Sequence, residues 1–337
     1  MRKLWMSLPC LLAFANVCRA SDPVLLTGAG STFIHPILSK WSKEYRLLHP
    51  GIEIYYEAIG SGKGISRTLA GLVDFGGSDG PASDQQLEHA RVKVFHIPVT
   101  IGAVVPAYNL PGVKEDIRFT GAALAGIFMG RIKKWDDPIL VRANPNVRLP
   151  DKEIYVVSRL DSSGTTYIWT DYLSKVSPEW NKQLGRGTQV LFPVGNGTQF
   201  NEGVVASIKQ NPYSIGYLQT TYAIDNQIAF GLVENVTGVF AKASVAGITA
   251  AAATVTNMPT DFRVSITNAT GTDAYPVSSF TWLLVPSKID DPAKKQALAG
   301  FLRWILTEGQ TMATPLHYAP LPLDVAVKAL HAVDQIQ

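Results

Sequence analysis

The sequence predicts an α/β fold divided between two domains, and three observations carry that prediction. The chain has 337 residues, too many for one typical domain and comfortable for two. Its first third alternates strand and helix patterns in βαβαβ order, which argues for a parallel sheet with helices on both faces. Its glycine-rich turns lie between a strand and a helix. With 46% apolar and 17% charged residues, the chain can bury a substantial core.

Residues 24–27 form the first short strand pattern. Gly28-Ala29-Gly30-Ser31-Thr32 then opens a helix carrying Ile37, Leu38, Trp41, Tyr45 and Leu48 at helical spacing, which His49-Pro50-Gly51 stops. Residues 52–58 alternate as a strand does. Gly60-Ser61-Gly62-Lys63-Gly64 is a second glycine-rich turn, with a helix expected over 65–70 and a short strand over 73–76. The apolar run 99–110 is the expected crossing to a second domain. Residues 154–158 read as a strand, followed by the turn from Arg159 to Thr166 and a helix with Tyr167, Trp169, Tyr172 and Leu173. Further strands are expected at 215–218, 228–232 and 280–285. An alanine-rich helix is expected over 241–254, and an amphipathic one over 294–307 with Leu298, Phe301, Leu302 and Ile305 on one face.

Residues 1–20 stand apart. Arg2 and Lys3 precede an apolar stretch, and Cys18-Arg19-Ala20 supplies the small residues of a cleavage site, so this reads as a secretory signal cut after Ala20. The stretch is short for a membrane span of about 20 residues. Val17 argues against lipid attachment at Cys18, which takes a small residue there. Cys10 and Cys18 both belong to the leader, so the mature chain is expected to hold no disulfide. Arg2, Lys3 and Arg19 account for the whole excess of 30 basic over 27 acidic residues. A neutral mature chain offers no basic patch for nucleic acid or a membrane surface.

Three strand-to-helix turns share one chemistry: residues 28–33, 60–64 and 162–166 are rich in Gly, Ser and Thr. Each would present unpaired backbone N–H groups at a helix N-terminus with hydroxyls beside them, a setting that attracts anions. Arg159, just ahead of the third turn, suits bidentate binding of an oxyanion. Each turn alone reads first as an ordinary N-cap. Arg159 with Asp161 reads equally as a surface ion pair of little worth. The anion reading requires the turns to converge in space.

Sharper motifs fail. Phe33 stands where a dinucleotide fingerprint needs its third glycine, and Gly64 stands where a P-loop needs Ser or Thr. Ile59 removes Gly60-Ser61-Gly62 from the nucleophile-elbow pattern. His35, His49, His89, His96, His317 and His331 show no metal-ligand spacing.

The segments Leu26-Thr27-Gly28-Ala29-Gly30-Ser31-Thr32-Phe33, Ile59-Gly60-Ser61-Gly62-Lys63-Gly64, Val73-Asp74-Phe75-Gly76-Gly77-Ser78-Asp79, Lys133-Lys134-Trp135-Asp136-Asp137-Pro138 and Arg159-Leu160-Asp161-Ser162-Ser163-Gly164-Thr165 resemble those of the periplasmic phosphate-binding proteins of bacterial phosphate ABC transporters. Ser214-Ile215-Gly216-Tyr217 and Tyr275-Pro276-Val277 fit as well, in the same order. The resemblance implies a type II-like two-domain binding protein with a hinge and an interdomain ligand cleft. Domain I would hold residues 21–102 and 276–337, and domain II residues 103–275. The phosphate ligands implied are Thr32, the Phe33 N–H, Ser61, Asp79, Arg159, Ser163, Gly164 and Thr165, with Asp161 orienting Arg159. Phosphate and a membrane permease are the implied partners of a periplasmic monomer that needs no cofactor or metal and is not an enzyme. Pro81-Ala82 in place of Pro-Leu, Ile34-His35-Pro36 in place of Pro-x-Pro, and Lys63 in place of a small residue depart from the family pattern. Lys63 reads either as an attractor of anions or as a solvated lysine at a helix start.

Asp79 converts an oxyanion site into one for phosphate. A carboxylate repels an anion unless the ligand carries a proton to donate, as phosphate does at neutral pH and sulfate does not. Sites built on one such hydrogen bond discriminate by roughly 10⁴. Asp79 reads equally as a cap for the helix after it. Three rival functions remain at this level: another oxyanion in the same cleft, a secreted phosphatase using a Ser or Thr, and a structural surface protein. The phosphatase lacks a histidine or paired carboxylates near the turns.

Overall fold

The computed structural model describes residues 22–337, so the leader expected over residues 1–20 lies outside the described residues. β1 (Val24–Gly30) runs into α1 (His35–Leu48), which buries Ile37, Leu38, Trp41 and Tyr45 and has a proline in its first turn, where the missing N–H costs nothing. Leu48, expected on that face, is the last residue of the helix and 62% exposed. β2 (Ile52–Ala58), α2 (Ser61–Leu69) and β3 (Phe75–Ser78) follow, then α3 (Asp84–Glu88) and the long β4 (Val94–Asn109). Next come β5 (Arg118–Phe119), α4 (Gly121–Phe128), α5 (Pro138–Ala143), β6 (Tyr155–Arg159), α6 (Gly164–Val176) and α7 (Pro178–Gln183). β7 (Asn196–Thr198), α8 (Phe200–Gln210), β8 (Ser214–Gln219), α9 (Thr220–Asp225), β9 (Ala229–Phe230), β10 (Leu232–Glu234), β11 (Phe240–Ala241) and α10 (Val245–Ala252) complete the middle of the chain. β12 (Ser278–Pro286), α11 (Pro292–Leu306) and α12 (Leu323–Asp334) close it.

The main sheet has the order β2-β1-β3-β12-β4-β8-β6-β7, with β9 also on β4; β11, β10 and β5 form a small second sheet. The sheet is mixed, which corrects the parallel expectation. Both flanks are parallel, β1 with β2 and β3, and β6 with β7 and β8. Its centre is antiparallel, because β12 returns from the far end of the chain to pair with β3 and β4. β4 serves both halves: residues 94–103 pair with β12, and residues 104–109 pair with β8. All nine residues of β12 are buried, as a strand covered on both faces requires.

Local boundaries differ where helices begin. The second glycine turn is already helix, since α2 starts at Ser61 behind Gly60, whose φ of +94° a glycine adopts freely. The alanine-rich stretch is helical only over Val245–Ala252, and Phe240–Ala241 pairs with β10. α2 lies close against β1 and β3: a Cβ on Gly64 would stand 2.6 Å from Gly30 Cα and 2.8 Å from the carbonyl oxygens of Ala29 and Gly77. Gly64 is thus a packing position, which accounts for its presence where a P-loop would carry a hydroxyl. Gly64→Ala should therefore lower unfolding stability by about 1–3 kcal/mol. A urea midpoint equal to wild type would show that the helix can move away.

Candidate anion-binding site

The site forms where β1, β3 and β6 end. At the end of β3, Asp79 is fully buried. It accepts hydrogen bonds from the Ser31 hydroxyl (2.5 Å) and the Ser61 hydroxyl (3.3 Å) at Oδ2, and from Thr281 Oγ1 (2.8 Å) at Oδ1. Asp79 caps nothing: α3 begins at Asp84 and is capped by Ser83, whose hydroxyl and Gln86 form a capping box. Burial pushes the Asp79 carboxyl up to about 6; the three hydroxyls and the Arg159 charge pull against that rise without cancelling it.

At the end of β6, Arg159 is buried and paired in a fork with Asp161, Nε to Oδ1 at 2.7 Å and Nη2 to Oδ2 at 2.5 Å. Their side chains are 1% and 7% exposed, so this is no surface pair. Asp161 Oδ1 also accepts the Phe200 N–H (2.9 Å). The other edge of the guanidinium reaches Thr165 Oγ1 from Nη1 (3.5 Å) and Thr32 Oγ1 from Nη2 (3.4 Å).

All three turns meet here. In the first, residues 28–30 belong to β1, and the turn proper is Ser31-Thr32-Phe33. The Phe33 N–H, expected to face the anion, donates to Ser31 Oγ (2.9 Å), because a serine two residues back closes a tight local turn. In the second, Ser61 opens α2 and its Oγ also accepts the Asp79 N–H (3.3 Å). In the third, Ser163 caps α6 by accepting the Thr166 N–H (3.2 Å). Gly164 packs so closely on Asp79 Oδ2 and Ser61 Oγ that a Cβ would overlap both. The first-turn N–H groups of Gly164 and Thr165 have no intrahelical acceptor. Lys63 is exposed on the outer side of α2.

Three further residues enter the cluster. Ser31 and Thr281 hold Asp79, and Asn201 Nδ2 donates to Thr32 Oγ1 (2.9 Å). Ser31 was readable as part of the first turn; Asn201 and Thr281 come from distant segments with no motif of their own. A cavity of about 670 Å³ lies beside the site, lined in part by Pro81, Tyr167, Arg186 and Arg263, yet none of the predicted anion residues lines it. The predicted anion residues lie in a sealed cluster instead, where Thr32, Ser61, Asp79 and Arg159 are all at most 4% exposed. Among the described residues no group of three or more His, Cys, Asp or Glu side chains is placed to hold a metal, and no helix is long and apolar enough to cross a membrane.

A two-domain α/β fold that encloses hydroxyls, a helix N-terminus and one guanidinium is that of a solute-binding protein, and residues 18–308 match the PBP superfamily domain. The chain is 40% identical over 311 residues to the phosphate-binding protein PstS of Xylella fastidiosa, covering 92% of this chain and 84% of the relative. It is 38% identical over 319 residues to PstS of Pasteurella multocida, covering 94% and 92%. A solved phosphate-binding protein from Stenotrophomonas maltophilia shares the fold, with a TM-score of 0.69 at 17% identity over 92% of this chain and 94% of that one. The chain belongs to the PstS family of phosphate-binding proteins.

The raised Asp79 group has a stability consequence. Its folded value, about 6, lies above the ordinary 3.8, so the folded state binds the proton more tightly. Its contribution therefore weakens folding as pH rises from 4 through 6, by on the order of 3 kcal/mol in full. In anion-free protein the stability difference between wild type and Asp79→Asn should shift towards the variant across that window. A difference independent of pH would show that Asp79 titrates normally.

Proposed function

We propose that this protein captures inorganic phosphate between its two domains and delivers it to the membrane permease of an ABC transporter. The observation that carries the reading is Asp79, a buried carboxylate set among hydroxyl and N–H donors. An unprotonated anion would meet repulsion there, whereas phosphate brings a proton for Asp79 to accept. Thr32, Ser61 and Asp79 supply one side, joined by the Phe33 N–H when it turns from Ser31 Oγ to the anion, and Arg159, Ser163, Gly164 and Thr165 the other, with Asp161 holding the guanidinium. The relatives' name, phosphate-binding protein PstS, supports phosphate as the ligand. Domain I takes residues 21–102 and 276–337, and domain II residues 103–275. The change of partner along β4 after Ala103 supports that division. A ligand held by both domains stabilises the closed form by its differential affinity.

A leader cleaved after Ala20 and a monomer working in the periplasm complete the proposal. Binding without catalysis fits the sealed cluster, in which no histidine is hydrogen-bonded to Thr32, Ser61 or Thr165 among the described residues. Release of p-nitrophenol from its phosphate ester would instead identify a phosphatase.

Intrinsic fluorescence offers the test. Trp169 stacks on Tyr217 (5.5 Å between ring centroids, 13° between planes), and the Tyr217 hydroxyl accepts the Arg159 N–H (3.1 Å). Anion-stripped protein should bind phosphate saturably and ignore sulfate at about a thousandfold excess. Asp79→Asn should narrow that ratio, and Arg159→Ala should weaken phosphate by about 2–5 kcal/mol. An equal response to both anions in wild type would remove Asp79 as discriminator; no response to either would leave only the fold.

A further inference from the structure

Thr32 is gripped from across the cleft in a way that decides what its hydroxyl can do. A hydroxyl has one proton to give and two lone pairs to receive. Thr32 Oγ1 receives Asn201 Nδ2 at 2.9 Å and Arg159 Nη2 at 3.4 Å. Asn201 is fully buried at the second position of α8, and its Oδ1 has no hydrogen-bond partner. An amide turned the other way would take the Thr32 proton and leave its own N–H in the position that lacks a partner. The approach is built by backbone in an unfavourable region. Phe200, one residue earlier, has φ +63°, and its N–H is bound to Asp161, the carboxylate that orients Arg159. One turn thus aims both donors at Thr32.

We propose that Asn201 is a positioning residue for anion selection that acts through Thr32. It fills the acceptor side of the hydroxyl together with Arg159, and the Thr32 proton is left for the bound anion alone. The proposal rests on the phosphate reading of this site. Asp79 requires a protonated oxygen on the ligand, and Thr32, so held, requires an unprotonated one. The pair selects an oxyanion that carries a proton on one side and a bare oxygen on the other.

The test is a double-mutant cycle on the full mature chain, with phosphate titrated against wild type, Thr32→Val, Asn201→Ala and the double variant. Loss of one hydrogen bond to a charged ligand corresponds to a loss of about 10- to 100-fold, expected for Thr32→Val, with a loss of about 10-fold for Asn201→Ala. In the Thr32→Val background, Asn201→Ala should cost less than about twofold more, since its route to the ligand is gone. Losses that multiply, or an Asn201→Ala variant that binds as wild type does, overturn the proposal while leaving the phosphate reading intact. Absence of phosphate binding by wild type overturns both. Asn201→Leu, which keeps the bulk and loses the N–H without adding a charge, replaces Asn201→Ala in the same cycle if thermal melting of anion-free protein shows the alanine variant unfolded. Coupling to Thr32 is then again the expected result and additivity the contrary one.

Discussion

The buried pair of Arg159 and Asp161 is the constraint around which the second half of the structure is arranged. A guanidinium taken out of water without a partner costs several kcal/mol, and a bidentate carboxylate is the partner that fits its fork. Everything nearby holds that fork still. The Arg159 N–H donates to the Tyr217 hydroxyl, which is also hydrogen-bonded to Thr166 Oγ1 (2.8 Å) in α6. Thr198 of β7 lies beside Arg159 in parallel register, and its carbonyl accepts the Leu160 N–H (2.9 Å). The Phe200 N–H reaches Asp161 at the cost of a left-handed backbone angle on a bulky residue. β6, β7, β8, α6 and α8 therefore share one polar anchor.

That anchor also sets how the site handles charge. Asp161 already neutralises Arg159, so an entering anion meets an ion pair and a second carboxylate, Asp79, with no net positive charge to attract it. Attraction would come from fixed dipoles: hydroxyls of Thr32, Ser61 and Thr165 and the first-turn N–H groups of α6, which lack intrahelical acceptors. Such a site gains little from charge alone and much from the placement of protons. The burial that raises Asp79 to about 6 makes it a better proton acceptor than an ordinary carboxylate.

Much of this was legible in the chain. β2 spans the residues whose alternation predicted it, α1 stops at the His49-Pro50-Gly51 signal, and three Gly/Ser/Thr turns pointed to helix N-termini that do meet. Those signals are local, set by side-chain period and backbone permission within a few residues. The antiparallel centre was not legible, because the pairing of β4 with β12 joins segments more than 170 residues apart and depends on the whole topology. Asn201 and Thr281 were missed for the same reason. Neither sits in a recognisable motif, and each acquires its role only through the residue it meets across the fold. Asp79 was ambiguous locally, and only the distance to α3, with Ser83 as its own cap, separates the two readings.

Closure follows from the same geometry. β4 is continuous through both halves and changes partner from β12 to β8 after Ala103, so the halves are joined there by strand rather than by a loose linker. Bonds that cross the cleft include Gly62 N–H to the Ser162 carbonyl (3.0 Å), the Tyr222 hydroxyl to the Thr32 carbonyl (2.9 Å), the donors of Asn201 and Arg159 on Thr32 and, beside the site, Arg263 Nη1 to the Ala82 carbonyl (3.1 Å) and Asp84 Oδ1 (2.6 Å). Tyr222 lies equally within reach of Glu202 Oε1 (3.1 Å), so its hydroxyl proton has two acceptors at hand. Exchanged for a bond to water, each such bond is worth only about 0.5–1.5 kcal/mol net. Bonds of that kind fix the register of closure without enforcing it. A ligand held by groups from both sides would supply the differential affinity between open and closed forms that such bonds do not.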